Sequence, residues 1–487
     1  MEIGVAKPST VLLVSYHFHP SNEIGARRPT ALARFLVAKG LRVVVVSAFG
    51  HQHVESGGEL SRGIVAIPVK VPPRTFIDAL VAMKRNAVRT DRVDVIPDGG
   101  QQPAAVRASA SRLISHLRGL FFRLLYFVDQ YKKWSWQASK AAVRAGREYD
   151  ATLIVASAPP DSTLLAGAWA ARRLGIPYVP DLRDPWSDSL SWAYPARRIE
   201  LRLLRILERW VMRSAAAVTS TGASVAALLA ERYQGLGSRI HVIRNGYDGG
   251  IAPRLSHTDG RLSILFAGEL YVGRDPFPLL SGLEWLLARP EVDSARVQVT
   301  FMGNASSYDG QSLQAWMQGK RCASVVRILP PQTPEGVAAA VAQSTVLLNL
   351  AQQQRLSVPA KTYEHLASGR EVLLICEDDC ETARLVSAVR GVNQVDPADF
   401  HALTQTLLDL YNRHVVRREV TAPAETDVSR FSRASANGDF YAVLASVAAL
   451  RVAAEGSPAK HAASAAGSPR HGAGLDRTSG KRRGSEP

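Results

Sequence analysis

The apolar positions of this chain fall into short blocks separated by longer amphipathic stretches. The segments 9–15 and 41–47 are compact apolar runs of strand length. Between them a polar loop over 16–26 gives way to a helical pattern over 27–39 that stops at Gly40. Runs without internal alternation suit strands buried on both faces, as in a parallel sheet. Further blocks at 64–69, 151–156, 176–181, 216–220 and 240–244 continue the alternation. Helical patterns separate the later ones, ending at Leu174, spanning about 197–213, and running up to Tyr233. Asn245-Gly246 is a turn signal and an expected hinge. A second alternation follows, with strands at 262–268, 297–303, 325–329, 346–350 and 372–375, then helical patterns over 397–415 and 436–453.

This order predicts an α/β protein of two Rossmann-like, doubly wound parallel-sheet lobes facing across a cleft. The first lobe is expected over 1–245, interrupted by a disordered loop at 90–110. The second is expected over 246–453, and 454–487 reads as a disordered basic tail of Ser, Gly, Ala, Pro, Arg and Lys. The first strand-to-helix turn lacks G-x-G-x-x-G, which argues against a dinucleotide cofactor. Residues 111–147 have helical character and carry Phe121-Phe122-Arg123-Leu124-Leu125-Tyr126-Phe127, then Lys132, Lys133, Trp134 and Trp136. Such a stretch can lie at a membrane surface, and it can equally pack its aromatics on its own domain.

Composition narrows the class. A hydrophobic fraction of 46% with 21% charged residues is that of a soluble globular protein. No apolar run approaches the ~20 residues that span a bilayer, and the first apolar run is strand-sized, so a cytoplasmic location is expected. Cys322, Cys376 and Cys380 fit neither a disulfide framework nor a zinc site. The formal charge of +16 points to an anionic partner. The sequence shows no RNP-like aromatic motif, zinc finger or helix-turn-helix signature, so a nucleic-acid partner would rest on charge alone.

Candidate chemistry concentrates in 357–369, Ser-Val-Pro-Ala-Lys-Thr-Tyr-Glu-His-Leu-Ala-Ser-Gly. Pro359 suits a first helical turn and Gly369 the position beyond the last. Lying between two strands, this helix should begin at the carboxyl edge of the sheet, where ligands bind. Lys361 and Glu364 share one face. As an ion pair they stand in the poorer order, with the cation in the first turn, where the helix dipole disfavours it. A bound diphosphate would reverse that balance and leave Glu364 to accept hydroxyl hydrogen bonds. A solvated surface pair is the competing reading. Gly268-Glu269-Leu270-Tyr271-Val272-Gly273-Arg274 forms the first turn of the second lobe, where Arg274 could reach a phosphate or be merely solvated. Asp181, Arg183 and Asp184 lie at a strand's carboxyl end. They either meet a ligand or neutralise one another.

Together these stretches resemble the retaining GT-B glycosyltransferases of family 4, in the subgroup that builds bacterial surface polysaccharides. The resemblance runs from about Val11 to Ala449. Its marks are Tyr16-His17-Phe18-His19-Pro20 with Gly25-Ala26-Arg27-Arg28, Ser157-Ala158-Pro159-Pro160, Asp181-Leu182-Arg183-Asp184-Pro185-Trp186, Asn245-Gly246-Tyr247-Asp248, the Gly268 turn with Arg274, and Pro359 to Gly369. The resemblance implies a second lobe that binds a nucleotide-sugar and a first lobe that binds a saccharide or polyprenyl-linked acceptor. It further implies transfer without a metal or other cofactor. Glu364 matches the second acid of E-x7-E, Arg274 the base that ends the G-R-x-x-x-x-K pattern, and Gly25 the first-lobe glycine beside the donor phosphates. Glu364, Lys361 and Arg274 are therefore the expected catalytic set, with Gly268, Glu269, Asn245, Pro359 and Ala360 on the donor side. His19, Arg27, Asp181, Arg183 and Asp184 are the expected acceptor and cleft residues. Two positions depart from the pattern: Leu356 stands at the first acid and Glu269 at the first base. A non-catalytic GT-B scaffold in an envelope-assembly complex is the alternative, and peripheral contact with an anionic inner membrane face is compatible with both.

Overall fold

The structure, a computed structural model, describes residues 9–21, 23–48, 63–71, 128–189, 198–252 and 259–455. The loop expected at 90–110, the aromatic run 121–127 and the tail beyond 455 lie outside the described residues.

The first lobe is built on β1 (Thr10–Ser15), β2 (Arg42–Ser47), β3 (Ile64–Pro68), β4 (Ala151–Ser157), β5 (Tyr178–Leu182), β6 (Val218–Ser220) and β7 (Ile240–Val242). They form one parallel sheet in the order β3-β2-β1-β4-β5-β6-β7. The second lobe uses β8 (Leu262–Ala267), β9 (Val297–Met302), the two-residue hairpin strands β10 (Ser307–Tyr308) and β11 (Gln311–Ser312), then β12 (Val326–Leu329), β13 (Val346–Leu350), β14 (Glu371–Ile375) and β15 (Val392–Val395). Its main sheet is also parallel, ordered β12-β9-β8-β13-β14-β15. Every residue of β1, β5, β13 and β14 is buried, which is why those segments carry apolar side chains on both faces. β15 was not expected: Val-Asn-Gln-Val is short, half polar and at the sheet's edge, so burial imposes little pattern on it.

Strand order reverses between β1 and β4 in one lobe and between β8 and β13 in the other. The loops leaving the carboxyl ends of those strands are where ligands enter such sheets. The loops after β1, β8 and β13 carry His19, Gly268, Glu269, Arg274 and Pro359 and lead into the helices that bear Gly25, Arg27, Lys361 and Glu364, whereas Asp181, Arg183 and Asp184 lie at the end of β5 and Asn245 beyond β7.

The last helix departs from the expected division at 246–453. Arg433–Glu455 belongs to the second stretch in sequence, yet its Ala436, Phe440, Val443, Leu444 and Val447 pack with Val11, Leu13, Leu32, Leu36, Val43 and Val45 of the first lobe. The chain therefore crosses between lobes twice, and the crossings run side by side. Tyr247 N–H donates to Phe431 O at 3.2 Å and Arg433 N–H to Tyr247 O at 2.9 Å. Gly246 permits this, since a Cβ there would lie 2.6 Å from Phe431 O. In the helix Lys132–Glu148, Trp134 is buried and donates to Val69 O at 3.2 Å, so this aromatic packs on its own domain. Trp136 remains exposed.

Candidate active site

The helix foreseen over 357–369 is the shorter Ala360–Leu366. Pro359 occupies its N-cap in an extended conformation instead of the first turn, and Gly369 (φ 67°) lies two residues past the C-cap, Ala367. Thr362, Tyr363, His365 and Leu366 are buried, and Asn349 of β13 donates to Thr362 Oγ1 at 2.9 Å. That anchoring sends Lys361 toward the end of β8.

Lys361 and Arg274 converge there. A Cβ placed on Gly268 would lie 2.8 Å from Lys361 Nζ and 3.6 Å from Arg274 Nη1, so both cations stand over this turn. Arg274 sits over the Tyr271 ring at 4.3 Å and donates from Nη1 to Glu269 O at 3.3 Å, while its buried Nε has no hydrogen-bond partner. Neither cation forms an ion pair with a described residue. Burial, and then Arg274, hold the Lys361 amine below its ordinary pKa, with Glu364 opposing them. Burial is also the main cause of the lowered Arg274 pKa. The same cations, after burial itself, push His365 down to about 3, so its imidazole is neutral. Two half-buried cations so close to each other are stabilised by an anion between them.

On the facing lobe, α1 (Ile24–Ala38) begins three residues earlier than the sequence suggested and takes Gly25 into its first turn. Pro29 lies four residues on and has no N–H to return to the Gly25 carbonyl. Arg183 fills that gap, donating from Nη1 to Gly25 O at 2.9 Å and from Nε to Ala158 O. Across the cleft, Arg27 Nη1 meets Glu364 Oε1 at 2.8 Å, both side chains being about half exposed.

Residues 92–249 match the model of Glycosyltransferase Family 4. No curated protein matches the sequence. Solved structures match over nearly their whole length. Sucrose-phosphate synthase from Thermosynechococcus elongatus is 14% identical with a TM-score of 0.56, covering 90% of this chain and 99% of its own. The α,α-trehalose 6-phosphate synthase from Burkholderia multivorans is also 14% identical, with a TM-score of 0.56 over 93% of this chain and 99% of its own. Anabaena HepE, in complex with UDP-glucose, is 14% identical with a TM-score of 0.52 over 90% and 99%. The chain has the GT-B fold. Both the expected architecture and the resemblance to family 4 are thereby borne out.

Within the GT-B frame several expected site residues take other work. Asp181 is buried: Oδ1 accepts from Arg28 Nη2 at 2.8 Å and Thr219 Oγ1 at 2.8 Å, and Oδ2 from Arg28 Nε at 3.0 Å and Ser157 Oγ at 2.9 Å. With both oxygens doubly engaged, Asp181 is structural and does not meet the cleft. Burial pushes its carboxyl pKa up, and Arg28 with the hydrogen bonds brings it below the ordinary value. Asn245, expected on the donor side, is tied to the hinge through Arg28 Nη1 at 3.5 Å, which also donates to Arg244 O at 2.9 Å. His19 is drawn along α1: its backbone N–H donates to Thr30 Oγ1 at 3.1 Å and its charged neighbour is Arg34. The histidine beside Gly25 is His17, whose Cδ2 would lie 3.0 Å from a Gly25 Cβ. Glu269 and Asp184 point to solvent, Ala360 is partly buried and Pro359 buried.

Leu356 stands where the resemblance would place a first acid. Leu356 packs against the first lobe's apolar cluster, and its carbonyl would lie 3.1 Å from a Cβ on Gly222. Nearby, Glu381 of the second lobe accepts from Ala223 N–H at 2.7 Å and Ser224 N–H at 2.9 Å, capping the first-lobe helix Ala223–Arg232 from across the gap. Nothing local in the sequence pairs residues 158 positions apart, so neither this contact nor His17 was foreseen.

Proposed function

We propose that this protein is a retaining glycosyltransferase that moves a sugar from a nucleotide-sugar to a saccharide or lipid-linked acceptor in cell-envelope or exopolysaccharide synthesis. One observation carries the reading: Lys361 and Arg274, without acidic partners among the described residues, meet over Gly268 at the carboxyl edge of the second sheet. As the bond from the anomeric carbon to the phosphate oxygen breaks, charge develops on the diphosphate. Two preorganised cations in a partly dry site stabilise it there. The acceptor oxygen attacks from the face the diphosphate leaves, and its proton passes to the departing phosphate oxygen. No metal is required, because side chains supply the charge. A nucleotide-sugar donor is supported by the UDP-glucose bound to HepE, a protein of the same fold. No helix among the described residues is long and apolar enough to cross a membrane. Contact with an anionic membrane face would be peripheral, consistent with the +16 charge and exposed Trp136.

The test is incubation of the purified protein with labelled UDP- and GDP-sugars and cell-envelope extract, followed by product analysis. Transfer lost in Lys361→Gln supports the reading. Nucleotide binding without transfer to any extract would favour the second reading, a non-catalytic scaffold, whose supporting observation is Leu356 packed into the first lobe where the family carries an acid.

A further inference from the structure

Helices of the first lobe lie side by side on one face of its sheet. Lys132–Glu148 packs against Ser162–Leu174, which packs in turn against Arg198–Ser214. All three bury side chains in one apolar cluster with Leu12, Val14, Val44 and Ile154, whereas Val11, Leu13 and Val43 point to the opposite side, against α1 and the final helix. The outer face of this layer therefore points away from the sheet. Arg198–Ser214 shows most clearly what that face presents. Ile199, Leu203 and Ile206, on successive turns, form an apolar stripe at 64%, 46% and 61% exposure. Arg202, Arg205, Arg209 and Arg213 are exposed beside it.

The neighbouring helices continue the same chemistry. Trp136 is exposed and its ring lies 5.7 Å from that of Trp169; Lys140 sits over the first at 4.9 Å and Arg173 over the second at 4.8 Å. Lys133, Arg144, Arg147 and Arg172 are exposed as well. Acids are scarce on this layer. Glu208 is buried and held by Ser187, Arg232 and Tyr233, Glu200 is half-buried, and Glu148 is the last residue of its helix. None of the exposed cations forms an ion pair with a described residue. Large aliphatic side chains in water add nothing to the fold where they stand, and a row of unpaired like charges repels itself.

One partner accounts for both features. We propose that the outer face of these helices docks on a bilayer containing anionic lipid. Ile199, Leu203 and Ile206 enter the boundary between headgroups and acyl chains, Trp136 lies at the same level, and the arginines beside the stripe extend to lipid phosphates. Charge complementarity alone would also suit a nucleic acid, but that partner leaves the aliphatic stripe wet. An acidic helix seated on the stripe would cover it and not reach Trp136, two helices away. Packed helix axes stand about 8–10 Å apart, so the face is broad enough for a plane. The choice of a membrane rests on the lipid-linked acceptor proposed above, which would be held at such a surface.

Cosedimentation of the full chain, without nucleotide, with vesicles of phosphatidylcholine and of an equimolar mixture of phosphatidylcholine and phosphatidylglycerol tests it. The variants are Ile199→Ser/Leu203→Ser/Ile206→Ser, Arg202→Gln/Arg205→Gln, and a control of equal charge loss on the exposed surface of the other lobe, Arg321→Gln/Arg327→Gln. The basic residues of 454–487 are common to all, so their attraction cancels in the comparison. The wild type should bind the mixed vesicles and not phosphatidylcholine alone. Partitioning should fall tenfold or more in the serine variant and fivefold or more in Arg202→Gln/Arg205→Gln, and less than twofold in the control. Equal losses in the two arginine pairs would make the attraction one of net charge and overturn the proposal. So would a serine variant that melts at a lower temperature yet binds vesicles as the wild type does, which would show the stripe to be covered by another part of this chain. A wild type that binds duplex DNA through Arg202 and Arg205 and no vesicle would assign the face to nucleic acid. Should the serine variant fail to fold, Arg202→Gln/Arg205→Gln, altered only at exposed positions, decides alone. Vesicle binding that depends on this face in a protein without transferase activity would remove the glycosyltransferase reading and leave the surface; transfer without vesicle binding would do the reverse.

Discussion

Lys361 and Arg274 are held close together where burial already disfavours their charge, so each is a liability to the unliganded fold and an asset to a complex with an anion. Replacing Lys361 by Gln should leave thermal stability unchanged or slightly raised while weakening nucleotide affinity at least tenfold; a destabilised variant with unchanged affinity would contradict this. His365 offers a test by pH. Its folded pKa of about 3 lies below the unfolded value of 6.5, so between those limits the unfolded chain binds more protons. Stability is therefore full above pH 6.5 and falls on acidification by about 1.4 kcal/mol per pH unit from this group. Denaturant titrations of His365→Asn should show that slope reduced by one proton over the window. Lys361 was legible in the sequence because a cation in a first helical turn, ahead of its acid, is a local anomaly. The roles of Asp181 and Arg183 were not. Two residues apart on the same motif, they part company only because β5 runs on to Leu182 and buries one of them under Arg28.

The elements themselves follow the periodicity closely where both faces of a strand are buried. The pattern fails where an element lies at an edge, as with β15, or where a helix start is written in residues that also suit a loop, as with Ile24 and Gly25. The Arg28–Asp181 pair binds α1 to β5, and through Ser157 and Thr219 it reaches β4 and β6. Asp181→Asn leaves Arg28 buried without its counterion, which should cost about 3–5 kcal/mol in urea unfolding. A loss below about 1 kcal/mol would show the pair to be incidental. Gly25→Ala, by contrast, must displace the His17 ring from 3.0 Å, and its effect should appear in nucleotide-sugar affinity more than in stability.

At the scale of the whole molecule, two sets of contacts set how the lobes meet. Crossing strands and the final helix, packed on the first lobe, form the permanent connection. Glu381 on the Ala223–Arg232 helix, Leu356 in the first-lobe cluster and the Arg27–Glu364 pair are separable contacts. Glu381→Ala removes a helix cap worth about 1 kcal/mol and one side of the closure. Small-angle scattering should then show a larger radius of gyration that donor only partly reverses, and unchanged scattering would show that Glu381 does not govern closure. None of these long-range pairings was readable from the sequence, since each joins segments whose local patterns carry no information about one another. The general form was readable, because two successive strand–helix alternations allow few arrangements. The claim underlying the whole account is that the second lobe holds a nucleotide diphosphate on Lys361 and Arg274. Its most direct test is titration of UDP- and GDP-sugars into the wild type and the Lys361→Gln/Arg274→Gln double variant. The account predicts saturable binding of one nucleotide series by the wild type, reduced a hundredfold or more in the variant, and equal affinities for the two proteins would contradict it.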